Sequence, residues 1–165
     1  MQNFLRDNAR KSTIGNLVAN TVIPFALLLS SPLVNLKGPT PNLVSVLVPG
    51  VFMSALVTTV VTFGVMTAQR KAGALAPALP AGISWFPRSL LTGVGIGLLF
   101  AVPVLAGLLA WQASSENMQF ARGTVVGLSA VVGAATGLFS SLVATKYAAK
   151  LGHGLASGGG QPARA

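Results

Sequence analysis

The side chains that could carry chemistry in this chain are amides and hydroxyls set within long apolar runs. Those of the first two runs recur at four-residue intervals, which is the spacing of one helix face. If consecutive runs alternate in direction across a membrane, these groups and two from the later runs fall in the same half of a helical bundle. The predicted polar patch comprises Asn16, Asn20, Ser54, Thr58, Thr62, Thr92 and Ser141.

Two interpretations of this patch remain open at the level of sequence. Buried asparagine and threonine side chains in membrane proteins commonly form hydrogen bonds between helices, which would make the patch a packing device. Amide and hydroxyl groups can also hold a small polar solute, an anion or a lipid headgroup without a full charge. The spacing does not distinguish the two.

Ionisable residues are missing from the interior of the four apolar runs, and this excludes several chemistries. Proton relays and ion pathways in membranes usually depend on intramembrane Asp, Glu, Lys, Arg or His. The chain has no cysteine, and its single histidine is His153, near the C-terminus. Only Asp7, Glu116 and His153 could act as acids or bases, and the runs separate Glu116 from the other two. We therefore predict no catalytic residues, no metal site, no cofactor and no enzymatic activity.

The composition places the chain in a membrane. It has 165 residues, of which 52% are hydrophobic and 8% charged, and its mean hydropathy is +0.72. Soluble domains carry about 25% charged residues. The net charge of +9 comes from basic residues that flank the apolar runs. That clustering suits membrane orientation and lipid headgroups, so we do not expect nucleic-acid binding.

The length of the chain fits a single domain of four transmembrane helices. At about 20 residues per span, four spans and short loops use nearly all of residues 1–150, and the Gly-rich residues 151–165 are expected to be a disordered cytoplasmic tail. The fold class is therefore an all-α integral membrane bundle, built from two antiparallel helical hairpins. The predicted spans are 12–34, 43–67, 88–111 and 122–146.

The basic residues also predict an orientation. Nine of the eleven lie in the N-terminal lead, the middle loop and the C-terminal region, and only Lys37 and Arg122 lie in the other two turns. Because cytoplasmic loops are enriched in Lys and Arg, we expect both termini in the cytoplasm. The short loops favour a bacterial inner membrane.

Small residues at helical spacing are the most specific packing signal. Gly93 and Gly97 form one small-xxx-small motif, and a row of small residues follows one face of the fourth run: Gly123, Gly127, Ala130, Ala134, Gly137 and Ser141. We expect the third run to pack against the fourth, and the motifs leave a homo-oligomer open. A shift of 79 residues aligns several positions of the two halves, for example Pro24 with Pro103, which leaves an internal duplication open.

The leading functional hypothesis is an accessory or structural membrane protein that binds a larger membrane partner, a lipid or an apolar ligand. It rests on abundant packing faces without reactive groups. The alternative is a small passive channel or transporter for a polar or anionic solute that passes the polar patch. Both hypotheses name the lipid bilayer as the surroundings of the chain, and both are compatible with a homo-oligomer or a larger membrane complex.

Overall fold

The structure is a computed structural model that describes residues 2–76, 78–79 and 84–151. These residues form four helices and a small two-stranded sheet: α1 (Gln2–Leu27), β1 (Leu33–Asn35), α2 (Leu43–Lys71), α3 (Phe86–Ser114), β2 (Gln119–Ala121) and α4 (Arg122–Ala149). The helical fold class and the number of helices are confirmed. His153 and the predicted tail after Leu151 lie outside the described residues.

Three of the helices are long and apolar enough to cross a membrane. α2, α3 and α4 have 29, 29 and 28 residues, and their mean hydropathies are 2.1, 2.3 and 1.8. At 1.5 Å per residue each helix is roughly 42 Å long, which exceeds the ~30 Å hydrocarbon core of a bilayer. These helices begin at or near the predicted starts and run a few residues past the predicted ends.

The first helix differs from the span predicted at 12–34. α1 begins at Gln2 and ends at Leu27, and part of the remaining predicted span forms β1. Residues 28–30 form a turn, and Pro32 disfavours a helical conformation at Ser31, so the helix does not continue to residue 34. α1 has 26 residues, so its length suffices for a span, but its polar residues keep its composition below the apolar level of the other three.

The order of the helices in space is α1, α4, α2, α3. α2 and α4 run parallel in the centre, α1 packs antiparallel on α4, and α3 packs antiparallel on α2. The expectation that the third helix packs mainly on the fourth is therefore wrong. Gly93 and Gly97 of α3 face α2 instead: a Cβ atom at Gly97 would lie 2.8 Å from Phe52, and one at Gly93 would lie 2.9 Å from Leu56. The two predicted hairpins thus interlock, because each helix pairs most closely with one from the other hairpin.

The row of small residues predicted on α4 follows the buried face only in part. Ala130, Gly137 and Ser141 are buried, whereas Gly123 and Gly127 are exposed. An ideal helix has 3.6 residues per turn, so a row spaced alternately by four and three residues drifts around its surface. The buried face instead continues through Gly133 and Ser140 to Ala144 and Ala148, while Ala134 is half-buried.

One end of the bundle, here called the sheet end, is closed by the strands and by two basic residues. β1 pairs antiparallel with β2, with Leu33 opposite Ala121. The Lys37 ammonium donates hydrogen bonds to the Gln112 and Ser115 carbonyls at 3.1 and 2.6 Å. Arg122 donates to the Leu28 and Leu29 carbonyls just beyond α1, at 3.4 and 3.1 Å. Both cations thus satisfy carbonyl groups at helix C-termini, where positive charge is favourable.

The opposite end, here called the basic end, carries the first turns of α1 and α3 and the last turns of α2 and α4. Arg70 of α2 is 1% exposed there. Its guanidinium donates to the Ala148 and Leu151 carbonyls, each at 3.0 Å, and so joins α2 to the C-terminus of α4. From the sequence, Arg70 was expected only to contribute to the orientation of the chain in the membrane.

Candidate functional site

The candidate site lies on the inward face of α1. Asn8, Ser12, Asn16 and Asn20 follow one another at four-residue intervals, so they share one side of the helix. The opposite side is apolar and exposed from Ile14 to Leu27. α1 therefore turns its polar groups toward the bundle and its apolar groups away from it.

The asparagines of α1 bind hydroxyl groups of α2 in antiparallel order. The Asn20 Nδ2 donates to Ser54 Oγ and the Asn16 Nδ2 donates to Thr58 Oγ1, each at 2.7 Å. The Asn8 Nδ2 lies 3.1 Å from Thr62 Oγ1 and 3.2 Å from Ser141 Oγ of α4. We call this set the polar ladder: Asn8, Asn16, Asn20, Ser54, Thr58, Thr62 and Ser141.

The side-chain amides of Asn16 and Asn20, the deep amides of the ladder, also form hydrogen bonds within α1. Asn16 Nδ2 donates to the Ser12 carbonyl at 2.8 Å, and Asn20 Nδ2 donates to the Asn16 carbonyl at 2.9 Å. A primary amide has two N–H donors. Both donors are therefore used in each case, one within α1 and one across to α2, which fixes the orientation of the side chain.

Glycines of the neighbouring helices make room for the ladder. A Cβ atom at Gly133 would overlap the Asn20 side chain, and one at Gly137 would overlap Asn16. On α2, a Cβ atom at Gly50 would lie 3.0 Å from Asn20 Oδ1. The small residues thus allow α1 to approach α4 closely enough for its amides to reach α2.

The structure brings together all of the residues predicted for the polar patch except one. Thr92 lies apart, on α3, in a crevice of about 240 Å³ with Arg88, Tyr147 and Lys150. Asn8 was not among the predicted residues, because residues 1–11 were expected to lie outside the first helix. The spacing of eight residues between Asn8 and Asn16 was the signal that could have identified it.

A groove between α1 and α2 opens onto the ladder. Its volume is about 480 Å³, and its polar lining includes Asn8, Ser12, Asn16 and Thr58, while Val57, Val61 and Val65 supply an apolar wall. Asp7 and Lys11 also line it and form an exposed ion pair of 2.7 Å. Such a groove can admit a small solute to the ladder from the basic end.

No metal-binding group is found among the described residues: no three His, Cys, Asp or Glu side chains lie close enough to hold an ion. Comparison of the chain with protein-family models, with curated proteins and with solved structures finds no match.

Proposed function

We propose that the chain is a non-catalytic integral membrane protein in which all four helices lie in the bilayer, and that it acts as an accessory or structural subunit for a membrane partner. The observation that carries this proposal is the two-sided character of α1. Its amides are paired with α2 and α4, and its apolar side chains face outward, as they would toward lipid.

The polar ladder supports packing rather than catalysis. It contains amides and hydroxyls that bind one another, and the deep amides have used both of their donors. Interhelical hydrogen bonds of this kind contribute on average ~0.6 kcal/mol each in a membrane protein. The polar residues of the ladder thus serve as hydrogen-bond partners for one another, and their presence requires no substrate or ion.

We further propose that the basic end faces the cytoplasm of a bacterial cell and that the sheet end faces the periplasm. Lys37 and Arg122, the two cations at the sheet end, are engaged with helix carbonyls. Most of the other basic residues lie at the opposite end, as the positive-inside rule requires of a cytoplasmic side.

Single-cysteine labelling tests this topology, because the natural chain has no cysteine. In intact cells, a membrane-impermeant maleimide should label Ser30→Cys at the sheet end. Asn3→Cys should react only after the inner membrane is made permeable, and Val18→Cys should stay protected. If Asn3→Cys and Ser30→Cys react from the same side, α1 does not cross the membrane and the four-span topology is wrong.

The accessory role is tested by the native mass of the protein after gentle extraction from its own membrane. We expect a mixed complex or a retained non-protein mass. A single species with the mass of one chain and no bound molecule contradicts the proposal.

The groove beside the ladder favours a second candidate, a passive channel or transporter for a small polar or anionic solute. Val61 lines this groove and is 55% exposed, so Val61→Trp should obstruct the groove without removing a ladder hydrogen bond. In proteoliposomes this variant should lose solute flux while retaining wild-type stability. Phe139→Trp, on an exposed position of α4 away from the groove, is the matched control. Equal flux in wild type and Val61→Trp rules out this route.

A further inference from the structure

A second groove lies on the other side of α1, between α1 and α4 at the basic end. Its volume is about 410 Å³. Arg6 and Arg10 stand at its edge, four residues apart on α1 and both exposed. The rest of its lining is nearly all apolar and comprises Leu5, Ala9, Thr13, Ile14, Leu138 and Leu142. Two cations therefore border an apolar channel that runs along the helices.

Among the residues that the structure describes, no carboxylate pairs with these two cations. The chain contains only two acidic residues. Asp7 forms an ion pair with Lys11 and lines the opposite groove, and Glu116 lies at the sheet end, beyond α3. Guanidinium groups one helical turn apart have the spacing and donor geometry to share a phosphate group. An anion from outside the described residues would therefore complement the charges of Arg6 and Arg10.

The contact between α3 and α2, which corresponds in the second half to the groove between α1 and α4, is filled by side chains. When the halves are aligned by the shift of 79 residues, Arg10 and Ile14 correspond to Ser89 and Gly93, which are buried where α3 meets α2. Arg6 corresponds to Trp85, whose indole packs 3.0 Å from a Cβ atom placed at Gly64. The first half thus has cations and an open groove where the second half has a tryptophan and close packing.

We propose that this groove binds one anionic phospholipid, with its phosphate on Arg6 and Arg10 and an acyl chain over Ile14, Leu138 and Leu142. From Arg6 to Ile14 the helix rises about 12 Å, so the site reaches from the headgroup region into the hydrocarbon core. The inference rests on the membrane insertion of α1 proposed above.

Native mass spectrometry of the full chain in detergent, titrated with phosphatidylglycerol or phosphatidylcholine, tests the site. We expect preferential binding of one phosphatidylglycerol molecule. Arg6→Gln/Arg10→Gln should weaken it by roughly 30-fold, which is about 2 kcal/mol at 1.4 kcal/mol per tenfold change. Lys71→Gln/Lys146→Gln removes the same charge from the same end outside the groove, and should change the affinity by less than about threefold.

A groove-filling variant tests the acyl-chain part of the site without a change of charge. Thr13→Phe places a ring in the groove and removes only the hydrogen bond from the Thr13 hydroxyl to the Ala9 carbonyl. Its phosphatidylglycerol affinity should fall as well. Equal binding of the two lipids, equal losses in both double variants, or an unaffected Thr13→Phe would each overturn the proposal. Because cysteine labelling reports the insertion of α1 independently, failure of this lipid site is distinguishable from failure of the topology.

Discussion

Replacing Thr58 with valine removes one hydroxyl from the polar ladder and nearly preserves the shape of the side chain. Thr58 is 5% exposed, and its hydroxyl accepts a 2.7 Å hydrogen bond from Asn16. In the variant, the Asn16 amide keeps its hydrogen bond to the Ser12 carbonyl, and its second N–H loses its partner. Measured interhelical hydrogen bonds in a membrane protein average ~0.6 kcal/mol and reach ~1.7. Because this bond is short and its acceptor is buried, we expect a loss of about 1–1.5 kcal/mol.

The neighbouring residue offers a matched control. Thr59 is 0% exposed, and its hydroxyl oxygen has no hydrogen-bond partner among the described residues. Thr59→Val replaces a desolvated hydroxyl by a methyl group of similar size. Its effect on stability should be neutral or favourable, because no hydrogen bond is lost. The two variants thus make the same chemical change in adjacent positions with opposite expected outcomes.

The assay is unfolding of the purified protein in mild detergent with increasing SDS, followed by circular dichroism. A double-mutant cycle of Asn16→Ala and Thr58→Val then isolates the pairwise term, since neither substitution introduces a new polar group. We expect a coupling energy close to the cost of Thr58→Val alone. The reasoning is refuted if Thr59→Val costs as much as Thr58→Val, or if the coupling energy is near zero.

Two further predictions use the same unfolding assay. Gly137→Ala should destabilise the protein by about 1–3 kcal/mol, because its methyl group would overlap the Asn16 side chain; Gly127→Ala, at an exposed position with nothing described within 4 Å, should leave stability unchanged or raise it by up to ~1 kcal/mol. Similar losses in both alanine variants would contradict the close approach of α1 to α4. Arg70→Met should cost about 1.5–3 kcal/mol, because it removes charged hydrogen bonds to the carbonyls at the end of α4. Lys146→Met, which removes an exposed cation from the same end, should change stability by less than about 0.5 kcal/mol, and equal effects of the two would show that Arg70 acts only through its charge.

Much of the ladder could be predicted from the sequence because helical periodicity is local. The four-residue spacing of Asn16 with Asn20, and of Ser54 with Thr58, places each set on one face whatever the helix packs against. Alternation of direction then brings the two sets to the same depth. Thr92 shared that depth but belongs to α3, which packs on the far side of α2. The depth of a residue in the bundle can be predicted from the sequence, whereas the helix that packs beside it cannot.

The glycine motifs likewise do not identify the helix that packs against them. Gly93-x-x-x-Gly97 and Gly133-x-x-x-Gly137 are equivalent as patterns, yet the first admits Leu56 and Phe52 of α2 and the second admits asparagines of α1. The pattern of small residues states only that some group will approach closely. Which group it is depends on the order of helices around the bundle, and that order is set by contacts between residues far apart in the sequence.

The polar residues of α1 determine both its low hydropathy and its position in the bundle. Its charged residues and its asparagines keep α1 less hydrophobic than the other three helices, and the asparagines also hold it to α2 and α4. α3 is the opposite case, since its buried face is formed by small and apolar residues apart from Ser89, and it reaches the highest hydropathy of the three candidate spans. In the proposed topology α3 is stable in lipid on its own, whereas α1 is stable there only once its amides have partners, because unpaired amides are costly in hydrocarbon. In that topology α1 is held in the bilayer only after α2 and α4 have inserted, and Gly133 and Gly137 allow the close approach that pairs its amides.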